Sequence, residues 1–179
     1  MPYEPLPDLA TLSLAEIAAL NAERKLPPVA EWNPQATSDS LMTIKADGRW
    51  FHDGGEIRRP AMIRAFAGLL RREADGSHWL VTPFEKQSIK VEDAAFIATD
   101  VVAQDGALAF RLNTDEIIVA GPDHPVLARG PAELPAIYLM VRNGCEARIN
   151  RSTWLQLVEL ADAELCVTSQ GTGFSLVPA

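Results

Sequence analysis

The sequence predicts an α+β protein built as two tandem subdomains of related topology, and three observations lead there. Apolar residues cluster in short β-type runs joined by Asp-Gly or Asn-Gly pairs, the pattern of β-hairpins. Other stretches carry apolar residues at helical spacing behind recognisable helix starts. The order hairpin, helix, strand, proline then occurs twice, around residues 41–83 and again around 137–178.

Residues 1–12 hold Pro2, Pro5 and Pro7 and read as a lead-in arm. Ser13 followed by Glu16 fits a capping box, in which each side chain satisfies a backbone N–H of the helix start. Leu14, Ile17, Ala18 and Leu20 continue that helix to about Lys25, where Leu26-Pro27-Pro28 stops it. Residues 29–40 read as a linker. Strands follow at Leu41–Ala46 and Arg49–Asp53 around the Asp47-Gly48 turn. Pro60 suits a first helical turn, and Met62, Ile63, Phe66, Leu69 and Leu70 mark one apolar face of the helix behind it. Asp75-Gly76 turns the chain into a strand at His78–Thr82, which Pro83 ends.

Residues 87–120 read as a β-meander, with strands at Ser88–Val91, Phe96–Ala103, Ala107–Leu112 and Glu116–Ala120. The stretch 121–135 is rich in proline and glycine and reads as a loop between the halves. Ile137–Arg142 and Cys145–Ile149 form a hairpin about Asn143-Gly144. Asn150 then caps a helix carrying Trp154, Leu157, Val158 and Ala161, and a last strand runs from Phe174 to Val177. A duplication places Ile57–Ile63 over Ile149–Leu155 and Trp79–Pro83 over Phe174–Pro178. The division is an N-terminal arm and helix at 1–28, a first subdomain at 29–95 and a second at 96–179. The strands of 87–120 are open to sharing between the two.

Composition narrows the function. Of 179 residues, 47% are hydrophobic and 22% charged, enough apolar material for a core without staples. The net charge of −8 argues against nucleic acid as a partner, since that binding needs a basic surface. Cys145 and Cys166 form no C-x-x-C pair and read as reduced cysteines among apolar neighbours. No stretch has the ~18 apolar residues of a membrane span, and the first residues lack the regions of a signal peptide. The expected location is the cytoplasm. His52, His78 and His124 lack metal-ligand spacing, and neither a nucleophile elbow nor a phosphate loop is present. No metal, no cofactor and no catalytic signature is expected.

Several stretches together resemble an uncharacterised bacterial family, domain-of-unknown-function family 1285. They are Asp47-Gly48-Arg49-Trp50-Phe51-His52, Glu56-Ile57-Arg58-Arg59, Phe66 with Leu69-Leu70, Leu80-Val81-Thr82-Pro83-Phe84-Glu85-Lys86 and Ile89–Phe96, with Tyr138–Arg151 in the second half. Phe84 before the glutamate and Ala95 before Phe96 depart from the family pattern. The resemblance implies two tandem α+β subdomains, distantly like pleckstrin-homology domains, a binding site between them and a role in signalling.

The residues themselves offer a basic cluster at two helix starts. Arg58 and Arg59 precede one helix, and Arg148 and Arg151 flank the start of the other. Positive charge is unfavourable at a helix N-terminus unless an anion offsets it. Glu56, Glu85, Asp93 and Glu146 are the internal carboxylates able to do so, and internal ion pairing is the favoured reading. The candidate ligand-binding set is His52, Arg58, Arg59, Glu85, Lys86, Arg142, Glu146, Arg148 and Arg151. The leading function is a non-enzymatic binding module for a small anionic ligand, a peptide carboxylate or a protein partner. Its rivals are an enzyme using Glu85, Lys86 and His52 in a cleft, and a protein-interaction scaffold. Oligomerisation is left open.

Overall fold

The computed structural model describes residues 8–179, so most of the expected lead-in arm lies outside the described residues. Helix α1 (Leu14–Glu23) begins where Ser13 Oγ accepts the Glu16 N–H at 3.2 Å. Before it, Leu9–Thr11 form a single 3-10 turn capped by Asp8.

The first half continues with β1 (Ala36–Ile44), β2 (Trp50–His52), β3 (Gly55–Ile57), α2 (Pro60–Ala67), β4 (Leu70–Arg72), β5 (His78–Val81) and β6 (Glu85–Val91). Its sheet has the order β3-β2-β1-β6-β5-β4. The second half holds β7 (Phe96–Gln104), β8 (Ala107–Leu112), β9 (Ile117–Val119), β10 (Val126–Arg129), β11 (Ala136–Arg142) and β12 (Cys145–Ile149). Read from its other edge, the second sheet has the order β9-β8-β7-β12-β11-β10. The two orders are the same when each set is counted one to six. In both, only the central pair is parallel, β1 with β6 and β7 with β12, and every other neighbour is antiparallel. Helix α3 (Arg151–Leu160) and a separate hairpin of β13 (Cys166–Ser169) and β14 (Thr172–Ser175) complete the chain.

The repeat therefore lies in the sheets, and the hairpin-helix-strand overlay is corrected. The hairpin before α2 contains the opening strands of its sheet, whereas β11 and β12 before α3 close theirs. β5 sits inside a six-stranded sheet, and β14 pairs with β13 in a separate two-stranded sheet. The meander over 87–120 is also corrected: β6 pairs with β1 and β5, while β7 pairs with β8 and β12, so the two strands belong to different sheets.

Smaller departures have local causes. Residues 36–40 look like linker because the first half of β1 is solvent-exposed and polar, and a bulge near Leu41 (φ 57°) breaks its alternation. Leu69 and Leu70 are not on α2, which stops at Ala67; Leu70 opens β4. β10 lies inside the expected loop, flanked by Pro125 and Pro131, as an edge strand tolerates.

One continuous core joins the halves. Ile44, Trp50, Leu70 and Leu80 from the first sheet cluster with Phe96, Phe110, Leu139 and Leu157 from the second half. Trp50 is 1% exposed and stacks on Phe66 with ring centroids 6.4 Å apart. A second cluster of Leu9, Leu12, Ile17, Ala109 and Ile117 seats α1 on β8 and β9. The N-terminal helix thus packs on the second half of its own chain. Cys145 is buried and Cys166 half-buried, both as free thiols, and burial pushes the Cys145 thiol up to about 12. Among the described residues no helix is long and apolar enough to cross a membrane.

Candidate functional site

Two ionic groups occupy the junction of the halves. Strand periodicity puts Glu146 and Arg148 on one face of β12, and Tyr138 of β11 lies directly opposite Arg148. Glu146, 6% exposed, accepts both Arg129 Nη groups at 2.7 and 2.5 Å and pairs with Arg72 of β4 at 3.5 Å. Arg148 donates to Asp93 at 2.9 Å and to the Tyr138 hydroxyl at 3.3 Å, and that hydroxyl donates to Asp93 at 2.6 Å. The Arg129 and Arg148 guanidiniums lie 4.7 and 5.4 Å from the Tyr138 ring centre. Asp93 comes from the connector between the sheets and Arg72 from the first sheet, so this network is a clasp. Its field shows in the protonation of its members. The Glu146 hydrogen bond raises the Arg129 pKa, and burial, then Asp93, raises that of Tyr138. Burial, then the Arg72 charge, holds the neighbouring His78 below its usual range.

The second group surrounds Glu116, the residue just before β9, which is 4% exposed. Arg142 of β11 donates to it, Arg24 approaches at 3.8 Å, and Thr114 Oγ1 donates at 2.7 Å. Arg142 also donates to the Ala67 carbonyl at the end of α2 at 3.2 Å and lies 5.2 Å from the Phe96 ring centre.

The expected site residues are dispersed among these features. Arg142, Glu146 and Arg148 belong to the junction groups. Arg58 is exposed and pairs with Glu56 at 3.0 Å, and Arg59 stands at the N-cap of α2 without a side-chain cap bond. Arg148 and Arg151 line a cleft at α3 that neither Arg58 nor Arg59 enters. Glu85 and Lys86 are the first two residues of β6, not loop residues, and adjacent strand residues point to opposite faces. Glu85 accepts from Ser38 at 3.2 Å and Gln87 at 3.3 Å. Lys86 pairs with Glu73 at 2.6 Å and lies 4.2 Å from the Trp79 ring centre. His52 is exposed at the end of β2, paired in register with Met42, while Glu85 aligns with Ala36 farther along β1. The catalytic trio of Glu85, Lys86 and His52 is not brought together.

The α3 cleft encloses about 240 Å³. Leu134, Pro135, Ile137, Ile149 and Trp154 supply apolar walls, and Arg148, Arg151 and Glu133 supply charge. Asn150 caps α3 by accepting the Thr153 N–H at 2.9 Å, which fixes where Arg151 emerges. A larger, shallower hollow of about 670 Å³ lies over β5 and β6, with Thr43, Lys45, Trp79, Ser88 and Lys90 among its lining. Among the described residues no cluster of three or more His, Cys, Asp or Glu side chains is placed to hold a metal ion. Sequence reasoning missed Arg24, Glu116, Arg72, Arg129 and Tyr138. Arg24 and Glu116 lie 92 positions apart in the chain, so spacing carries no signal of their meeting.

Residues 27–94 match the N-terminal domain of the domain-of-unknown-function family DUF1285, and residues 95–176 match its C-terminal domain. The chain belongs to the DUF1285 family. A DUF1285 family protein from Silicibacter pomeroyi DSS-3 has a crystal structure similar to this one, with TM-score 0.78 and 37% identity over 91% of this chain and 95% of that one. A DUF1285 family protein from Shewanella baltica OS155 shares the fold, with TM-score 0.55 and 24% identity over 67% of this chain and 91% of its own. None of the curated proteins matches the chain.

Proposed function

We propose that this protein is a non-enzymatic binding module in bacterial regulation, taking an anionic ligand with an apolar body in the α3 cleft. The observation that carries this reading is the pairing of apolar walls with the Arg148–Arg151 edge. Arg148 is committed to Asp93 through one nitrogen, whereas Arg151 is exposed and forms no ion pair with a described residue. A carboxylate at that edge would place its apolar portion against Trp154 and Leu134, as small-ligand sites combine apolar walls with few polar anchors. The internal ion pairs of Arg58, Arg142 and Arg148 favour this narrow site over a broad anion groove between the halves. The pleckstrin-homology-like resemblance contributes analogy only.

The test is thermal unfolding against aromatic and aliphatic carboxylates and phosphorylated metabolites. A ligand at ~100 times its dissociation constant stabilises the fold by ~2.7 kcal/mol. The stabilisation is expected with carboxylates and is expected to vanish in Arg151→Ala, whose unliganded stability stays near wild type. A flat panel would overturn the small-ligand reading. It would move attention to the exposed Leu134 and Leu155, 77% and 53% accessible, as part of a protein-binding face.

A further inference from the structure

The hollow of about 670 Å³ on the first sheet shares no residue with the α3 cleft. Strand pairing builds its floor. Thr43 of β1 aligns with Lys90 of β6, and Ser88 of β6 stands opposite Trp79 of β5. Ser88 and Lys90 are two residues apart and so share the outer face. Ile89 between them turns inward and is 6% exposed.

The indole wall is set before any ligand arrives. Trp79 Nε1 donates to Ser77 Oγ at 2.9 Å, and Ser77 Oγ donates to Asp75 at 2.6 Å. Lys86 lies 4.2 Å from the Trp79 ring centre but does not line the hollow. The hollow thus meets the part of the indole that Lys86 leaves uncovered. Holding a ring in place beforehand lowers the ordering cost of binding.

Polar groups around the indole are unspent. The Thr43 and Ser88 hydroxyls bond to no other described residue, and exposed Lys90 forms no ion pair with one. Glu92 at the rim is already engaged, by Lys45 at 3.1 Å and by the Ala46 N–H at 2.8 Å.

We propose that this hollow binds a sugar acid, a pyranose ring bearing a carboxylate. A pyranose has an apolar C–H face, which the indole matches, and a rim of hydroxyls. The Thr43 and Ser88 hydroxyls both donate and accept, as sugar hydroxyls do, whereas a bare carboxylate only accepts. Lys90 supplies a compact point charge for the carboxylate. The site does not depend on the α3 cleft.

NMR titration of isotope-labelled protein with D-glucuronate, D-glucose and acetate tests the proposal. Glucuronate is expected to shift the Trp79 indole N–H and the Thr43, Ser88 and Lys90 amides saturably, in wild type and in Arg151→Ala alike. Glucose keeps the ring and loses the charge, so it is expected to bind about tenfold more weakly, the effect of one charge-assisted contact. Lys90→Gln is expected to bind glucuronate no better than glucose and to leave glucose affinity unchanged. Trp79→Ala is expected to lose both sugars. If circular dichroism shows Trp79→Ala unfolded, the exposed Lys90 variant carries the test. Absence of saturable shifts at Trp79, or unchanged glucuronate affinity in Lys90→Gln, overturns the site. So does acetate binding as tightly as glucuronate. Shifts confined to the Trp154 indole place the sugar acid in the α3 cleft and overturn it too.

Discussion

Gly144 and Arg72 meet backbone to backbone across the junction: a Cβ at Gly144 would lie 2.5 Å from the Arg72 carbonyl oxygen. The Arg72 N–H donates to the Asn143 carbonyl at 2.9 Å, so the β11–β12 turn closes onto the edge of the first sheet. Gly144 holds φ at 77°, where an L side chain is strained. The clash involves backbone, which cannot swing aside. Gly144→Ala is expected to cost about 2 kcal/mol or more in a urea melt. Gly76→Ala, with similar φ but open space around it, should cost less.

The clasp around Glu146 makes a second prediction. Its carboxylate is nearly buried and accepts from Arg129 while pairing with Arg72. Glu146→Gln leaves the two guanidiniums without their shared anion. The loss is expected at about 2 kcal/mol, less than for a fully buried pair because Arg129 is 46% exposed. A double-mutant cycle of Glu146→Gln with Arg129→Met measures it, and a coupling energy near zero would make the clasp energetically idle.

His78 gives the fold a pH dependence. The unfolded imidazole takes its proton near 6.5, and the folded one only at lower pH, because burial and Arg72 oppose the charge. Between those two values the unfolded chain binds more protons, so stability is full above about 6.5 and is lost as pH falls. Asp47, Glu73, Asp75 and Glu92, held below their usual values, contribute losses only in the carboxylate range further down. Urea midpoints for wild type are expected to drop between about pH 7 and 5.5, and His78→Gln is expected to flatten that segment.

Helix α1 should detach before the sheets melt. Its anchor is the small cluster of Leu9, Leu12 and Ile17 on Ala109 and Ile117, separate from the main core. Ile17→Ala is expected to weaken that docking by roughly 2–4 kcal/mol. In hydrogen exchange, amides of α1 should lose protection while those of β7 and β12 keep theirs. Uniform loss across the chain would show instead that the helix and sheets unfold together.

Local signals in the sequence announced much of this architecture. Ser13 and Asn150 were recognisable as helix caps because capping depends on contacts within three residues. The Asp47-Gly48 and Asn143-Gly144 turns were recognisable because Gly48, Asn143 and Gly144 hold positive φ, which few residues adopt. Strands β3, β4, β10 and β13 were not, being three or four residues long and either polar or flanked by breakers. The repeat was sensed, but in the wrong unit, since strand order depends on partners far apart in sequence.

By itself, then, the sequence determined the α+β class, the family, the caps and turns, and the arginines around Ile149. All of these are short-range chemistry or pattern. Only the tertiary structure decided that β6 and β7 part into separate sheets and that α1 docks on the second half. It alone also brought Arg24 and Arg142 to share Glu116. Those outcomes are set by burial and charge pairing between residues distant in the chain, and no local spacing encodes them.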